Sequence, residues 1–137
     1  KACGLFCLNA APVKPVPPDI LSRIDLLIVN ESEAEALAEN LRDYHGILAI
    51  TLGARGAILL KDGSELARAA PPSVQAIDSV GAGDAFCAAL VIAFLEAKGY
   101  QEAVEFACRV GAFATTRKGA QPAMPFRADL DSLFNLQ

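Results

Sequence analysis

The sequence predicts an α/β fold with a mainly parallel sheet, and three observations carry that expectation. Three short apolar runs, Gly4 to Leu8, Leu26 to Val29 and Ile47 to Leu52, have the length and composition of buried strands. Helix-forming segments separate them, giving the order strand, helix, strand, helix, strand that builds a parallel sheet. Polar residues or a glycine stand at or just after the runs, namely Asn9, Asn30, Glu33 and Thr51 with Gly53, where ligands collect in such sheets. Any one of these residues could equally end a strand or cap a helix.

Each element follows from its own stretch of chain. After the first strand the proline-rich AAPVKPVPPD leads into a short helix, Ile20 to Ile24. The segment ESEAEALAENL, residues 31 to 41, carries acidic residues in its first turn, which suits the positive end of a helix. Ala34, Leu37, Ala38 and Leu41 supply its apolar stripe. Ile47 to Leu52 is followed by the turn GARG, and Asp62-Gly63 is a hairpin turn joining strands Ala57 to Leu60 and Glu65 to Ala69. Two helices, about Gly83 to Lys98 and Gln101 to Thr116, are separated by Gly99, and a last short helix is expected over Ala128 to Leu136.

Composition narrows the classes of function. A length of 137 residues is that of one domain, residues 1–137, which would bury about two thirds of its unfolded surface. The net charge of -4 argues against a nucleic-acid partner or an anionic membrane surface. An anionic ligand would therefore be held by main-chain amides, a few cations or a metal. The longest apolar stretch, Phe86 to Leu95, is too short to span a bilayer. Cys3, Cys7, Cys87 and Cys108 form no CxxC pair, and His45 is the single histidine, so a zinc site is not expected. Cys87 and Cys108 lie in apolar helical runs and are expected as buried, reduced thiols in a cytoplasmic protein.

The stretch DSVGAGDAF, residues 78 to 86, has the chemistry of a phosphate seat but matches neither familiar glycine-rich loop. No lysine follows to make a mononucleotide loop, and Phe86 stands where a dinucleotide fingerprint needs a small residue. Gly81, Ala82 and Gly83 leave room for main-chain amides to approach an anion at the positive end of the following helix. Asp84 falls in the first helical turn, and a carboxylate beside a phosphate seat makes sense as a base that takes a proton from an attacking hydroxyl. Taken alone, the same residues also describe an ordinary helix start with an early acidic residue.

These residues resemble the C-terminal signature of the ribokinase-like carbohydrate kinase family, D-[TS]-x-G-A-G-D-x-F, with Ser79 in place of the commoner threonine. LNAAP, IDLLIVNESEAEAL, ITLGARGAILL and TTRKGAQPAMP are similar to segments of that family in the same order. The resemblance implies a three-layer ribokinase-like fold and an ATP-dependent sugar kinase, with ribose, converted to ribose 5-phosphate, as the foremost substrate. It implies that Asp84 is the base and that Gly81, Ala82 and Gly83 hold the transferred group. Asn30 and Glu33 match the N-x-x-E motif that organises Mg²⁺ and phosphate. Thr51, Gly53 and Gly56, with Arg55 nearby, fall where the family binds nucleotide. Asp78, Val80, Ala114, Gly119 and Ala123 match positions of a K⁺ site.

The family's N-terminal half, its sugar-gripping residues and its β lid have no counterpart in the sequence. The chain is therefore expected to be the C-terminal nucleotide-binding half, inactive by itself and prone to self-association, with ATP, a sugar and the missing half as partners and a homo-oligomeric state. The segment between Leu37 and Ile47 is shorter than the family's usual crossover. A fructokinase, a phosphosugar kinase or a nucleoside kinase is the near alternative, and a truncated, non-catalytic nucleotide-binding or oligomerisation module the distant one.

Overall fold

The computed structural model describes residues 4–134, so Cys3 and the expected end of the last helix at Leu136 lie outside the described residues. The chain divides into two units, one up to Arg68 and the other from Ala69 onward.

Four buried apolar residues in a row form the strand β2 (Leu26–Asn30) of the first unit. Leu26 to Val29 are all almost completely buried, although alternate residues face opposite sides of the sheet. β1 (Cys7–Asn9) and β3 (Ile47–Thr51) flank it in parallel, and β4 (Ala57–Lys61) adds antiparallel to β3. β5 (Ser64–Ala69) completes a mixed five-stranded sheet in the order β1-β2-β3-β4-β5. The β4–β5 turn is the expected Asp62-Gly63 pair, with positive φ at both residues as a two-residue hairpin requires. β1 begins at Cys7 rather than Gly4, and the main-chain amides of Asp25 and Leu26 close the preceding segment by donating to the Phe6 carbonyl.

The first helix, α1 (Pro18–Leu21), starts two residues earlier than expected. Proline is favoured in the first helical turn because its missing N–H would have no partner there. One face of the sheet carries a core of Ala10, Val16, Leu21, Ile24, Leu27, Val29, Leu37 and Tyr44.

The crossover from β2 to β3 is the largest departure from expectation. The helix expected over residues 31 to 41 stops at Ala36, giving α2 (Glu31–Ala36), and a tight 3-10 turn follows at Asn40–Asp43. Asn40 explains the break, because its side chain accepts from the Val16 N–H (2.8 Å) and donates to the Val16 carbonyl (3.0 Å). That pairing ties the turn to the segment before α1, while Leu37 stays buried and Leu41 packs at the core margin. Ala38, expected on the apolar stripe, is exposed. Tyr44 then donates to the Ile47 carbonyl (3.0 Å), and burial pushes its phenol well above the ordinary range. Gly46 fits because a Cβ there would lie 2.6 Å from the Ile24 carbonyl oxygen.

The second unit is built on α3 (Ala82–Leu95) packed against α4 (Tyr100–Thr115). Their facing sides are rich in alanine, with Ala85, Ala89 and Ala93 buried on one helix and Ala103, Ala107 and Ala114 on the other. A Cβ at Gly111 would lie 3.4 Å from the Ala82 carbonyl oxygen, so the two helices run in close contact. α3 was expected to reach Lys98 but ends at Leu95. Lys98 N–H donates to the Ala93 carbonyl (3.0 Å) and Ala97 N–H to the Phe94 carbonyl (3.1 Å), a reversal that needs positive φ at Ala97. An alanine in a position usually given to glycine hid this end from the sequence. Cys108 is buried as expected, its thiol 3.6 Å from the Ala69 carbonyl, whereas Cys87 is only half-buried. α5 (Arg127–Phe134) begins where Asp129 accepts the Phe126 N–H (2.8 Å). No helix among the described residues is long and apolar enough to cross a membrane.

Candidate functional site

In the first unit the expected residues gather at the carboxyl ends of β2 and β3. Asn30 and Thr51 end their strands side by side in the parallel register. Asn30 caps α2, accepting the Glu33 N–H (2.8 Å), and Glu33 returns the favour by accepting the Asn30 N–H (2.8 Å). The N-x-x-E motif is thus also a capping box, a signal present in the spacing alone. One Glu33 oxygen is committed there, and the other remains available. The Thr51 hydroxyl donates weakly to the Val29 carbonyl (3.4 Å).

Beyond Thr51 the chain folds into a 3-10 turn, Gly53–Arg55, closed by Leu52 N–H to the Gly56 carbonyl (2.7 Å). Arg55 is not free at the end of that turn. Its guanidinium is paired with the carboxylate of Glu31, the first residue of α2. The sequence marks Glu31 only as an acidic residue of a first helical turn, because a pairing across 24 residues carries no periodic signal.

In the second unit the expected residues surround the start of α3. Gly81 precedes the helix with φ of +80°, and a Cβ there would sit 2.9 Å from the Ala120 Cα. Both the left-handed backbone and the close approach of the 117–124 loop therefore require glycine. A helix start leaves its first amides without intrahelical partners. Here the Ala82 N–H donates to the Ser79 carbonyl (3.2 Å), and no side chain caps the helix. Gly83 and Asp84 are exposed in this first turn, and nothing lies within 4 Å of where a Gly83 Cβ would be.

Asp78 behaves differently from Asp84. One of its oxygens accepts the Val80 N–H (3.0 Å) and the other the Gly119 N–H (2.9 Å). These two main-chain donors, Val80 foremost, hold its carboxyl below the ordinary aspartate range, with a smaller contribution from nearby Lys118. Asp78 so ties the loop before α3 to the loop after α4. The N–H groups of Ile77 (2.7 Å) and Asp78 (3.1 Å) reinforce that tie by donating to the Thr115 carbonyl. Of the remaining positions, Ala114 and Ala123 are fully buried and Val80 is exposed. Among the described residues no three His, Cys, Asp or Glu side chains form a metal-binding cluster.

A mixed sheet with parallel strands joined through helices defines an α/β protein. Residues 3–127 match the pfkB family carbohydrate kinase model, and the chain belongs to this family. It is 36% identical over 138 residues to a ribokinase of Haemophilus influenzae, covering 89% of this chain and 44% of the relative. A fructokinase of Escherichia coli is 34% identical over 110 residues, covering 75% of this chain and 34% of the relative. The solved structure of Arabidopsis thaliana ribokinase complexed with ribose and ATP superposes with a TM-score of 0.86 at 27% identity, covering 97% of this chain and 48% of that one. The fold is ribokinase-like, and the chain spans less than half the length of these relatives.

Proposed function

We propose that the chain is the nucleotide-binding portion of an ATP-dependent sugar kinase that transfers the γ-phosphoryl group to a sugar hydroxyl, with D-ribose as the foremost substrate and ribose 5-phosphate as product. The observation that carries this reading is the start of α3, where exposed Asp84 stands in a first turn preceded by Gly81 and capped by no side chain. In the reaction the sugar O–H proton passes to the Asp84 carboxylate while the oxygen bonds to the γ-phosphorus. The bond from that phosphorus to the β-γ bridging oxygen breaks, and ADP leaves. The main-chain amides of Gly81, Ala82 and Gly83 take up charge on the group in flight. Gly53, Arg55 and Gly56 in their turn, with Thr51, receive the nucleotide.

Asn30 and Glu33 would hold magnesium, which supplies neutralising charge on the phosphates. Because Mg²⁺ gives up its waters reluctantly, that contact would run through water. Asp78, Val80, Ala114, Gly119 and Ala123 would hold potassium. Asp78 suits this because each of its oxygens keeps a lone pair beyond the amide it accepts. The protein is read as cytoplasmic and homo-oligomeric, completed by a half that grips the sugar. Similarity to a fructokinase supports a second reading, in which fructose replaces ribose.

The test is ADP release by the full-length protein with ATP and Mg²⁺, comparing ribose, fructose and a nucleoside, with K⁺ titrated against a large organic cation at constant ionic strength. Ribose-dependent turnover that rises with K⁺ is expected. Turnover with fructose alone would favour the second reading, a flat K⁺ response would remove the potassium site, and no turnover with any acceptor would overturn the proposal.

A further inference from the structure

We infer that Glu31 is a positioning residue for nucleotide, acting through Arg55. The inference rests on the proposed role of the 51–56 segment and extends it to Glu31, an unspecified position of the N-x-x-E motif. Three ion pairs, Arg42 with Glu39, Arg68 with Glu65 and Lys98 with Glu102, join residues three or four apart, and others, such as Arg127 with Glu96, join distant residues away from the strand ends. Glu31 and Arg55 are 24 apart and link two separate strand-end loops. Both anchors are fixed. Glu31 directly follows Asn30, which is locked by the capping box, and Arg55 lies in a turn closed at both ends by main-chain hydrogen bonds. The parallel register of Asn30 with Thr51 brings the two loops alongside each other.

A guanidinium has five N–H donors in a rigid plane, and Glu31 engages it through one terminal nitrogen. The remaining donors stay available for a phosphate oxygen. Holding the long side chain in one orientation beforehand removes an entropy cost that nucleotide binding would otherwise bear. Glu31 therefore has no need to touch the nucleotide. Its effect is transmitted by the position of Arg55.

The experiment is a double-mutant cycle in the full-length protein with Glu31→Gln and Arg55→Ala, reading the Kd for ADP, the KM for ATP and kcat. Thermal midpoints without nucleotide serve as the control for folding. Arg55→Ala is expected to weaken ADP about tenfold, the worth of a hydrogen bond between charged groups. Glu31→Gln is expected to weaken ADP about threefold and to raise the KM for ATP equally, with kcat and the ligand-free midpoint unchanged. In the Arg55→Ala background Glu31→Gln should have no further effect. An equal loss in both backgrounds, or no loss from Glu31→Gln while Arg55→Ala weakens binding, overturns the positioning role and leaves the nucleotide site standing. An Arg55→Ala protein with unaltered ADP binding overturns the assignment of Arg55, and the role of Glu31 with it.

Discussion

The strand ends of the first unit and the helix start of the second carry similar residue types and use them in opposite ways. At the strand ends the polar side chains satisfy one another. Asn30 and Glu33 exchange hydrogen bonds, Arg55 pairs with Glu31, and Thr51 bonds to a neighbouring strand. At the start of α3 the carboxylate of Asp84 is exposed and no side chain caps the helix. The second unit also contains its own contrast, since Asp78 has both oxygens engaged by main-chain amides six residues before Asp84. A satisfied polar group fixes the shape of a loop, whereas an unsatisfied one at a helix start is where a ligand gains most. Removing a group of the first kind should cost mainly stability or affinity, and removing one of the second kind should cost chemistry.

That division can be broken most sharply at Asp84. Asp84→Asn in the full-length protein is expected to lower turnover by ~10²- to 10⁴-fold, the usual worth of a positioned base, with nucleotide affinity within about twofold of the parent. Steady-state kinetics beside calorimetric titration with ADP would reveal a mutant of near-normal turnover, which removes Asp84 from the reaction. Gly81→Ala should come next. A left-handed alanine pressed against Ala120 is expected to cost about 3 kcal/mol, combining backbone strain with overpacking, and urea melts measure it directly. Asn30→Ala should remove the cap of α2 and cost about 1 kcal/mol, with a smaller effect on turnover than Asp84→Asn. The smallest effect is a gain. Ala97→Gly should stabilise by up to about 1 kcal/mol by relieving positive φ at the end of α3, and an unchanged melting midpoint would show that the reversal carries no strain.

Much of this was legible in the sequence. Leu26 to Val29 read as a buried strand because four consecutive apolar residues leave no face for water, and Asp62-Gly63 read as a hairpin because few other pairs tolerate positive φ twice. DSVGAGDAF announced a glycine-preceded helix start with an acid in its first turn, although α3 begins one residue earlier than expected. What escaped were features decided by contacts between distant residues. α2 stops at Ala36 because Asn40 finds Val16, a tertiary hydrogen bond that no helical spacing encodes. The end of α3 was misplaced because an alanine occupies the reversal. In the candidate site, the role of Asn30 and Glu33 in capping could have been read from their spacing, whereas the partnership of Glu31 with Arg55 required the sheet register.

The central claim is that the start of α3 is the seat of the transferred phosphoryl group. Its most direct test is an amide NMR titration of the full-length protein with Mg²⁺, ADP and tetrafluoroaluminate, the last standing in for the group in flight. Adding tetrafluoroaluminate to the ADP complex should shift the amides of Gly81, Gly83 and Asp84 more than those of Asn30 and Glu33, because the latter two already donate within the capping box. Large shifts confined to the strand ends, with the α3 start unmoved, would place the phosphoryl group elsewhere and contradict the claim.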